Sequence, residues 1–233
     1  MHPHRGRSAG LPAAPGLDPL TAATALHAPS PEELDAEGRR LLRFARASVN
    51  PAAGFAWLDD DGRPDLTRPV HAWVTTRMTH VFALAALRGD DDAAVVVEHG
   101  VASLQGPLRD KRFGGWFASV APDGAAPVDD EKQAYAHAFV ALAASSAAAA
   151  GAPGADELLA DAVDVLDRHF LDAEGRVVEG YDRAFTQPEP YRGANSSMHI
   201  VEALLALGDV LGEPARHATA LGIAEHLVHG VAR

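Results

Sequence analysis

Seven helical segments alternate with glycine-turn links along this chain, and no other pattern in the sequence restricts its fold as strongly. Apolar spacings of three and four residues, together with helix-capping residues, predict helices at about 31–49, 70–88, 91–106, 130–150, 154–169, 194–211 and 213–229. Asp-Gly or Glu-Gly turns at Gly62, Gly124 and Gly175 are flanked by apolar residues and predict short β-hairpins between some of these helices. The alternation favours stacked helical hairpins, and therefore an all-α fold, over a β-sandwich or a βαβ sheet.

The N-terminal segment, residues 1–30, is rich in Pro, Ala, Gly and His and has few large apolar residues. Prolines at this density prevent a helix, and too little apolar surface is present to offset the entropy of ordering, so we expect a disordered leader. Ser30-Pro31-Glu32-Glu33 then supplies an N-cap, a proline at the first helical position and acidic residues in the first turn. Residues 31–233 are therefore predicted to form the helical domain.

The composition excludes several classes of function. The net charge of −12 argues against a nucleic-acid partner, because phosphate binding needs clustered Lys and Arg. The chain has no cysteine, which excludes disulfides, thiolate nucleophiles and zinc–thiolate sites. No apolar run approaches the ~20 residues of a membrane span, and the N-terminus lacks a signal-peptide pattern. We expect neither membrane insertion nor export, and a cytoplasmic location.

The predicted helix at 70–88 carries an arginine within a largely apolar pattern. One face carries Trp73, Arg77, His80, Leu84 and Leu87, and much of the other is filled by Val74, Met78, Val81 and Phe82. A helix that is apolar nearly all round is usually buried, and an unpaired buried charge is costly. Two interpretations stay open: Arg77 pairs with an acidic residue in the core, or this face lines a polar pocket.

The predicted helix after Gly193 has a narrow polar stripe formed by Asn195, His199 and Glu202, which are spaced by four and three residues. Met198, Val201, Leu204 and Leu205 are expected to point the other way. The stripe either lies in solvent, as in an ordinary amphipathic helix, or faces a site. The spacing of His199 and Glu202 also resembles that of metal ligands, but two ligands do not make a metal site, and we predict none.

A third group of residues combines glycines with aromatic side chains. Gly114 and Gly115 allow a close approach of the backbone to another group, and Trp116 offers a flat apolar face of the kind that stacks on sugar rings. Core packing is the alternative for this tryptophan. Lys132, Tyr135 and Phe139 are predicted to share a helix face, where the hydroxyl of Tyr135 could bind a ligand or a backbone carbonyl.

Three stretches taken together resemble the N-acylglucosamine 2-epimerase family, which includes mannose isomerases, sulfoquinovose isomerases and cellobiose epimerases. They are His71–Met78, Gly114–Trp116 followed by Lys132 and Tyr135, and Arg192–His199. Their order and spacing agree with the family, and the resemblance runs from about residue 35 to the end. It corresponds to the N-terminal part of family members.

The resemblance implies an α/α toroid of six helical hairpins, with the sugar bound in a central cavity by residues of the inner helices. By position it identifies Arg77, Tyr135 and Asn195 as sugar-contacting residues and Trp73 and Trp116 as cavity aromatics. It also identifies His199 as a sugar-contacting residue and as the candidate catalytic residue. The implied activity is that of an isomerase or epimerase that acts at C1 and C2 of an aldose or ketose, of the mannose or N-acylhexosamine type.

The residue types fit that chemistry. Moving the C2 proton, or inverting the configuration at C2, through an enediol needs a base with a pKa near neutral. Imidazole supplies such a base without a metal, so no cofactor is expected. Arg77 could stabilise a developing oxyanion or bind an anionic substituent of the substrate. Asn195 and Tyr135 can recognise sugar hydroxyls through directional hydrogen bonds.

Departures from the family raise further expectations. The family usually has Asn where this chain has Ser197, and often Tyr where it has His80. About seven helices are predicted where a closed toroid needs about twelve, so we expect a partial toroid with exposed apolar faces that favour association, as a homo-oligomer or with a complementing C-terminal half. Such a chain should have little or no isomerase activity alone, as expected of a truncated product.

Two other functions stay open at this stage. One is a non-catalytic carbohydrate-binding or truncated remnant that retains the cavity without the proton-transfer groups. The other is an α/α-toroid glycoside hydrolase, which needs two carboxylates across the scissile bond. Its nearest candidates, Asp59 to Asp61 beside Trp57, lie in a predicted hairpin turn and are interpreted as solvated loop residues.

Overall fold

The computed structural model describes residues 28–231, so most of the predicted leader, at 1–27, lies outside the described residues. The chain divides into two compact units, Met1–Arg39 and Arg40–Arg233. Helix α1 (Pro31–Arg46), of which only residues 31–39 belong to the first unit, begins with a capping box: the Glu33 backbone N–H donates to the Ser30 hydroxyl at 3.2 Å, and the Ser30 backbone N–H donates to the Glu33 carboxylate at 2.8 Å. The predicted N-cap is confirmed.

All seven predicted helices are present in residues 28–231. After α1 they are α2 (Ala72–Leu87), α3 (Asp91–Gln105), α4 (Ala134–Ala149), α5 (Ala155–Val165), α6 (Ala194–Leu211) and α7 (Pro214–Glu225). Single wider turns extend α5 through Leu166–Phe170 and α7 through His226–Val231. Periodicity and capping residues therefore locate these helices to within a few residues.

Short antiparallel strands form the predicted links. They are β1 (Trp57–Leu58), β2 (Pro64–Asp65), β3 (Val70–His71), β4 (Ser119–Val120), β5 (Pro127–Asp129), β6 (Lys132–Gln133) and β7 (Gly180–Tyr181). Strand β1 pairs with β2, β4 lies between β3 and β5, and β6 pairs with β7. Gly62 and Gly124 adopt the left-handed conformation in the β1–β2 and β4–β5 turns, as predicted.

Consecutive helices pack as hairpins, with α2 against α3, α4 against α5 and α6 against α7. Helix α4 also packs against both α2 and α6, so it lies at the centre of the second unit. Every residue of α4 from Ala136 to Ala147 is buried. This helix is alanine-rich, and alanine combines the highest helix propensity with a small side chain that permits close helix packing.

Helix α4 begins at Ala134, four residues later than predicted at 130. The preceding Lys132 lies in β6 and is fully buried, with its Nζ 3.0 Å from the Asp110 carboxylate. Lys132 therefore does not share a helix face with Tyr135, and that prediction is wrong. The reason is an ion pair with a residue 22 positions earlier, which helical periodicity does not reveal.

The apolar residues of α2 and α6 are distributed differently from the prediction. The side chains of Val81, Leu84 and Leu87 on α2, and of Met198 and Leu205 on α6, are between 43% and 56% exposed. The buried face of α2 instead includes Thr75, Thr76, Thr79, Phe82 and Ala83. Small residues suit a close helix–helix contact, whereas the larger apolar side chains lie where no described helix covers them. Within residues 28–231, no helix is long and apolar enough to span a membrane.

Candidate active site

A hydrogen bond between Arg77 and Tyr135 joins the N-terminal parts of two neighbouring helices. Arg77 lies in the second turn of α2 and Tyr135 is the second residue of α4; the arginine Nη2 donates a hydrogen bond of 2.8 Å to the phenol oxygen. Because that oxygen accepts from Arg77, its own O–H proton remains available to donate to a ligand. The pair thus presents both a cation and a hydroxyl donor at one point.

The Arg77 guanidinium is held among aromatic rings. Its carbon lies 4.2 Å from the ring centroid of Phe139, 5.5 Å from that of Trp73 and 5.6 Å from that of Tyr135. No carboxylate among residues 28–231 forms an ion pair with Arg77. The interpretation as a core ion pair therefore finds no support, and cation–π contacts of about 0.5–2 kcal/mol each stabilise the charge instead.

His199 lies on α6 against the same aromatic group. Its ring packs edge-on against Tyr135 at 5.2 Å between centroids and tilted against Phe139 at 4.6 Å. Its Nδ1 lies 3.0 Å from the carboxylate of Glu202, and its side chain is only 20% exposed. The polar stripe of α6 is therefore turned toward α4 at His199, and the structure brings Trp73, Arg77, Tyr135 and His199 together.

Asn195 is exposed at the first turn of α6 and lines, with Tyr135, a cavity of about 610 Å³. The strand residues Gln133 and Tyr181 and the carboxylate of Glu179 also line this cavity. Amide, hydroxyl and carboxylate groups of this kind can recognise the hydroxyls of a sugar-sized ligand.

Glu179 organises the start of the helix that carries Asn195 and His199. Its carboxylate accepts hydrogen bonds from the backbone N–H of Gly193 at 2.9 Å and from the hydroxyl of Ser196 at 2.6 Å. A Cβ on Gly193 would lie 2.7 Å from the same carboxylate, which explains the glycine before α6. Sequence reasoning missed Glu179, because only the fold brings it to the helix N-terminus.

Trp116 lies in the core and not beside Arg77. Its side chain is 1% exposed, its indole N–H donates to the carbonyl of Leu104 at 2.7 Å, and the Arg109 guanidinium covers its ring at 4.5 Å. It offers no open face to a sugar in this structure. Core packing, the alternative weighed for this residue, describes its position.

The two glycines before Trp116 permit a close contact with His137. Both have positive φ, and a Cβ on Gly115 would lie 2.7 Å from the His137 Nε2. That nitrogen accepts the backbone N–H of Trp116 at 3.1 Å, while Nδ1 donates to the Gln133 carbonyl at 2.7 Å. Burial lowers the pKa of this imidazole to about 3, so it remains neutral and structural.

The other candidate ionisable groups are placed as follows. Among residues 28–231, no group of three or more His, Asp or Glu side chains is arranged to hold a metal ion, and His199 and Glu202 bond to each other. Asp59 accepts from the backbone N–H groups of Asp61 and Arg63 in the β1–β2 turn and is exposed. This placement agrees with a turn residue and gives a glycoside hydrolase mechanism no support.

Comparison with known proteins adds to the geometry. The profile of the family described as N-acylglucosamine 2-epimerase (GlcNAc 2-epimerase) matches residues 53–233. A D-mannose isomerase of Thermobifida fusca is 50% identical over 200 residues, which cover 85% of this chain and 49% of that protein. A D-mannose isomerase of Pseudomonas cannabina pv. alisalensis is 46% identical over 194 residues, 83% of this chain and 46% of that protein.

A solved structure of a family relative has the same helical fold. The crystal structure of a D-mannose isomerase superposes with a TM-score of 0.77 at 26% identity, over 84% of this chain and 52% of that one. The chain thus spans about half the length of the relatives it matches. Its helical hairpins form a partial α/α toroid, as the sequence predicts, and the chain belongs to the N-acylglucosamine 2-epimerase family.

Proposed function

We propose that this chain supplies a sugar-binding wall of an isomerase or epimerase that acts at C1 and C2 of a mannose-type aldose or the corresponding 2-ketose. One observation carries the proposal: His199, bonded to Glu202, packs against Tyr135, whose hydroxyl is held by Arg77. A base, a hydroxyl donor and a cation therefore lie within one cluster. The family and the D-mannose isomerases it contains support a sugar as the substrate.

His199 is the proposed base. A carboxylate can only accept, so the 3.0 Å contact places a proton on Nδ1 and leaves Nε2 with a lone pair. In the open-chain aldose, Nε2 takes the C2 proton, the C2–H electron pair forms the C1=C2 double bond, and the carbonyl oxygen becomes the enediolate oxyanion. When the O2 hydroxyl proton moves to O1 and the carbon-bound proton returns to C1, the C2=O carbonyl of the 2-ketose forms; when C2 is instead protonated on its opposite face and the C1=O carbonyl re-forms, the product is the epimer.

Tyr135 and Arg77 are the proposed partners of the oxyanion. The Tyr135 hydroxyl donates to the developing charge, while the Arg77 cation, 2.8 Å from the phenol oxygen, stabilises that donor. Asn195, which borders the 610 Å³ cavity, recognises a hydroxyl away from the reacting carbons, and Trp73 limits the site on the α2 side. No metal or organic cofactor is required by this scheme.

We further propose that the 233-residue chain has little or no isomerase activity alone. The cluster of Arg77, Tyr135 and His199 contains one imidazole paired with a carboxylate and lies on α2, α4 and α6, and the matched relatives are about twice as long as this chain. A covering partner, either a second copy or a complementing half, would complete the cavity. Exposed apolar residues such as Leu84 and Met198 favour that association.

A chimera tests the proposed activity. This chain replaces the matched segment of the Thermobifida fusca D-mannose isomerase, and the reaction of D-mannose in deuterated water is followed by NMR. We expect exchange of the C2 proton and formation of the ketose by the chimera. Arg77→Ala and His199→Ala should reduce the rate by about 10²–10³, the usual effect of removing one transition-state contact.

Matched variants control for folding. Val95→Ala on α3 and Leu221→Ala on α7 change exposed residues on helices that carry no residue of the cluster, and they should leave the rate within about twofold. Activity of the chimera that is unaffected by Arg77→Ala and His199→Ala would exclude the assigned roles. Rapid turnover of D-mannose by the 233-residue chain itself would refute the proposed need for a partner.

The alternative of a non-catalytic carbohydrate-binding chain rests on its spanning only about half the length of the relatives. The chimera separates the two. A binding remnant predicts that Arg77→Ala weakens sugar binding by the 233-residue chain, whereas the chimera neither exchanges the C2 proton nor forms ketose.

A further inference from the structure

His80 places a second imidazole beside the candidate active site. It lies on α2 three residues after Arg77, about 4.5 Å further along the helix axis. Its Nδ1 is 2.6 Å from the hydroxyl of Ser146 on α4, and the carboxylate of Glu202 on α6 lies near enough to act on its charge. Glu202 also binds His199, so one carboxylate interacts electrostatically with both imidazoles.

The hydrogen bonds favour one tautomer of His80. With the single hydroxyl proton of Ser146 assigned to its 3.0 Å bond with the Leu142 carbonyl, the hydroxyl oxygen accepts from His80. Nδ1 of His80 is therefore the donor, and in the neutral ring Nε2 is the acceptor. Burial lowers the pKa of this imidazole, which keeps it neutral at neutral pH even though Glu202 opposes that effect.

The His80 Nε2 lone pair has no hydrogen-bond partner among residues 28–231. His80 is only partly buried. Tyr135 and Arg77 offer donors one turn nearer the start of α2, whereas His80 offers an acceptor. A sugar with its carbonyl end at Arg77 and Tyr135 would place a hydroxyl of its distal part at this acceptor.

We propose that His80 is a substrate-contacting residue that selects the sugar by accepting a hydrogen bond from one hydroxyl distal to C1 and C2. The inference rests on the proposed function, since it assumes that the cluster binds a sugar. It assigns His80 a different task from His199: His80 recognises a hydroxyl, and it does not remove the C2 proton.

Two amide substitutions separate this role from a structural one. Gln at position 80 can place its carbonyl oxygen where the Nε2 acceptor was, whereas Asn can place its amide N–H where Nδ1 was and keep the bond to Ser146. Binding of D-mannose to the 233-residue chain is measured by calorimetry. We expect His80→Gln to bind within about threefold of the wild type and His80→Asn to bind about tenfold more weakly, the effect of losing one hydrogen bond.

The opposite order, with His80→Asn unaffected and His80→Gln weakened, would show that His80 only holds Ser146 and would overturn the inference. Deoxy sugars give a second readout. A mannose that lacks the contacted hydroxyl should bind the wild type about tenfold more weakly than mannose does, whereas His80→Asn should bind the two sugars with equal affinity. A uniform loss for every deoxy sugar in both proteins would also overturn it.

Nitrogen NMR of the histidine side chains tests the tautomer without any activity. We expect a proton on Nδ1 of His80 and a shift of the Nε2 signal when D-mannose is added; a proton on Nε2 contradicts the proposal. If neither the 233-residue chain nor the chimera binds D-mannose, the proposed function fails and this inference with it. If the wild type binds sugar and His80→Asn binds equally well, only this inference fails.

Discussion

Replacing Asp110 should destabilise the protein far more than replacing its partner Lys132. The two side chains are 1% and 0% exposed, and their charged atoms are 3.0 Å apart. Asp110 also accepts from the Arg183 side chain at 2.9 Å and from the backbone N–H of Arg112 at 3.0 Å. The carboxylate thus has several donors, whereas Lys132 has one carboxylate.

The titration behaviour agrees with this asymmetry. Burial by itself would raise the pKa of the Asp110 carboxyl, but the hydrogen bonds from Arg183 and Lys132 outweigh it and hold the pKa well below its usual value. Burial lowers the pKa of the Lys132 ammonium, and the bond to Asp110 opposes that effect. The lysine charge therefore depends on Asp110 more than the aspartate charge depends on Lys132.

The magnitudes follow from what each substitution leaves behind. Asp110→Asn leaves the Lys132 ammonium buried without a counter-charge, and breaking a buried pair in this way costs about 3–5 kcal/mol. Lys132→Met leaves Asp110 with Arg183 and its backbone donors, so we expect a loss of about 1–3 kcal/mol. Asp60→Asn, at an exposed position, is the control and should change the free energy of unfolding by less than about 0.5 kcal/mol.

Urea unfolding at neutral pH, followed by far-UV circular dichroism, measures all three free energies. An Asp110→Asn variant within about 1 kcal/mol of the wild type, or a Lys132→Met variant less stable than Asp110→Asn, would refute the reasoning. The pair also affects the site, because Lys132 lies in β6 three residues before Tyr135. Asp110→Asn should therefore weaken sugar binding as well as stability.

Two further predictions concern buried contacts. The pKa of His137 is about 3 in the folded protein and near 6.5 in the unfolded chain, so between these pH values the unfolded chain binds a proton that the folded chain does not. The contribution of His137 to the free energy of unfolding therefore falls by about 1.4 kcal/mol per pH unit as the pH decreases. Urea unfolding of wild type and His137→Gln from pH 6.5 to 5 should show a difference that shrinks with decreasing pH; a constant difference contradicts this. Gly100→Ala should cost about 1–3 kcal/mol, since its Cβ would lie 2.9 Å from the Thr79 Cβ, whereas Gly222→Ala, with nothing within 4 Å, should gain about 0.5–1 kcal/mol in thermal or urea unfolding. Equal effects at both glycines would exclude that explanation.

The sequence predicts the helices of this fold well because the determinants of a helix are local. Apolar spacing and caps such as Ser30 and Glu33 lie within the element they define. The start of α4 is predicted too early because Lys132 forms an ion pair with Asp110, which lies far away along the chain. The exposure of Leu84 and Met198 is also missed, since a helix pattern does not say which of its faces a neighbour covers.

The site is predictable in part for the same reason. Arg77 and His199 are polar residues at helical spacings within largely apolar helices, which sequence alone can detect. Arg77 and His199 meet around Tyr135 because of how α2, α4 and α6 pack, which local sequence does not show. The burial of Trp116 in the core likewise depends on tertiary packing. Glu179 leaves no local signal, because it caps α6 from 14 residues before Gly193.

The most direct test of the central claim is an NMR titration of the 233-residue chain with D-mannose, observing the ring signals of His199 and Tyr135. His217, a partly exposed residue of α7 that lies 3.0 Å from Asp209, serves as the internal reference. The proposed site predicts saturable shifts at His199 and Tyr135 that Arg77→Ala weakens, with His217 unchanged. Unchanged signals at His199 and Tyr135, or shifts no larger than those at His217, would contradict a sugar site at this cluster.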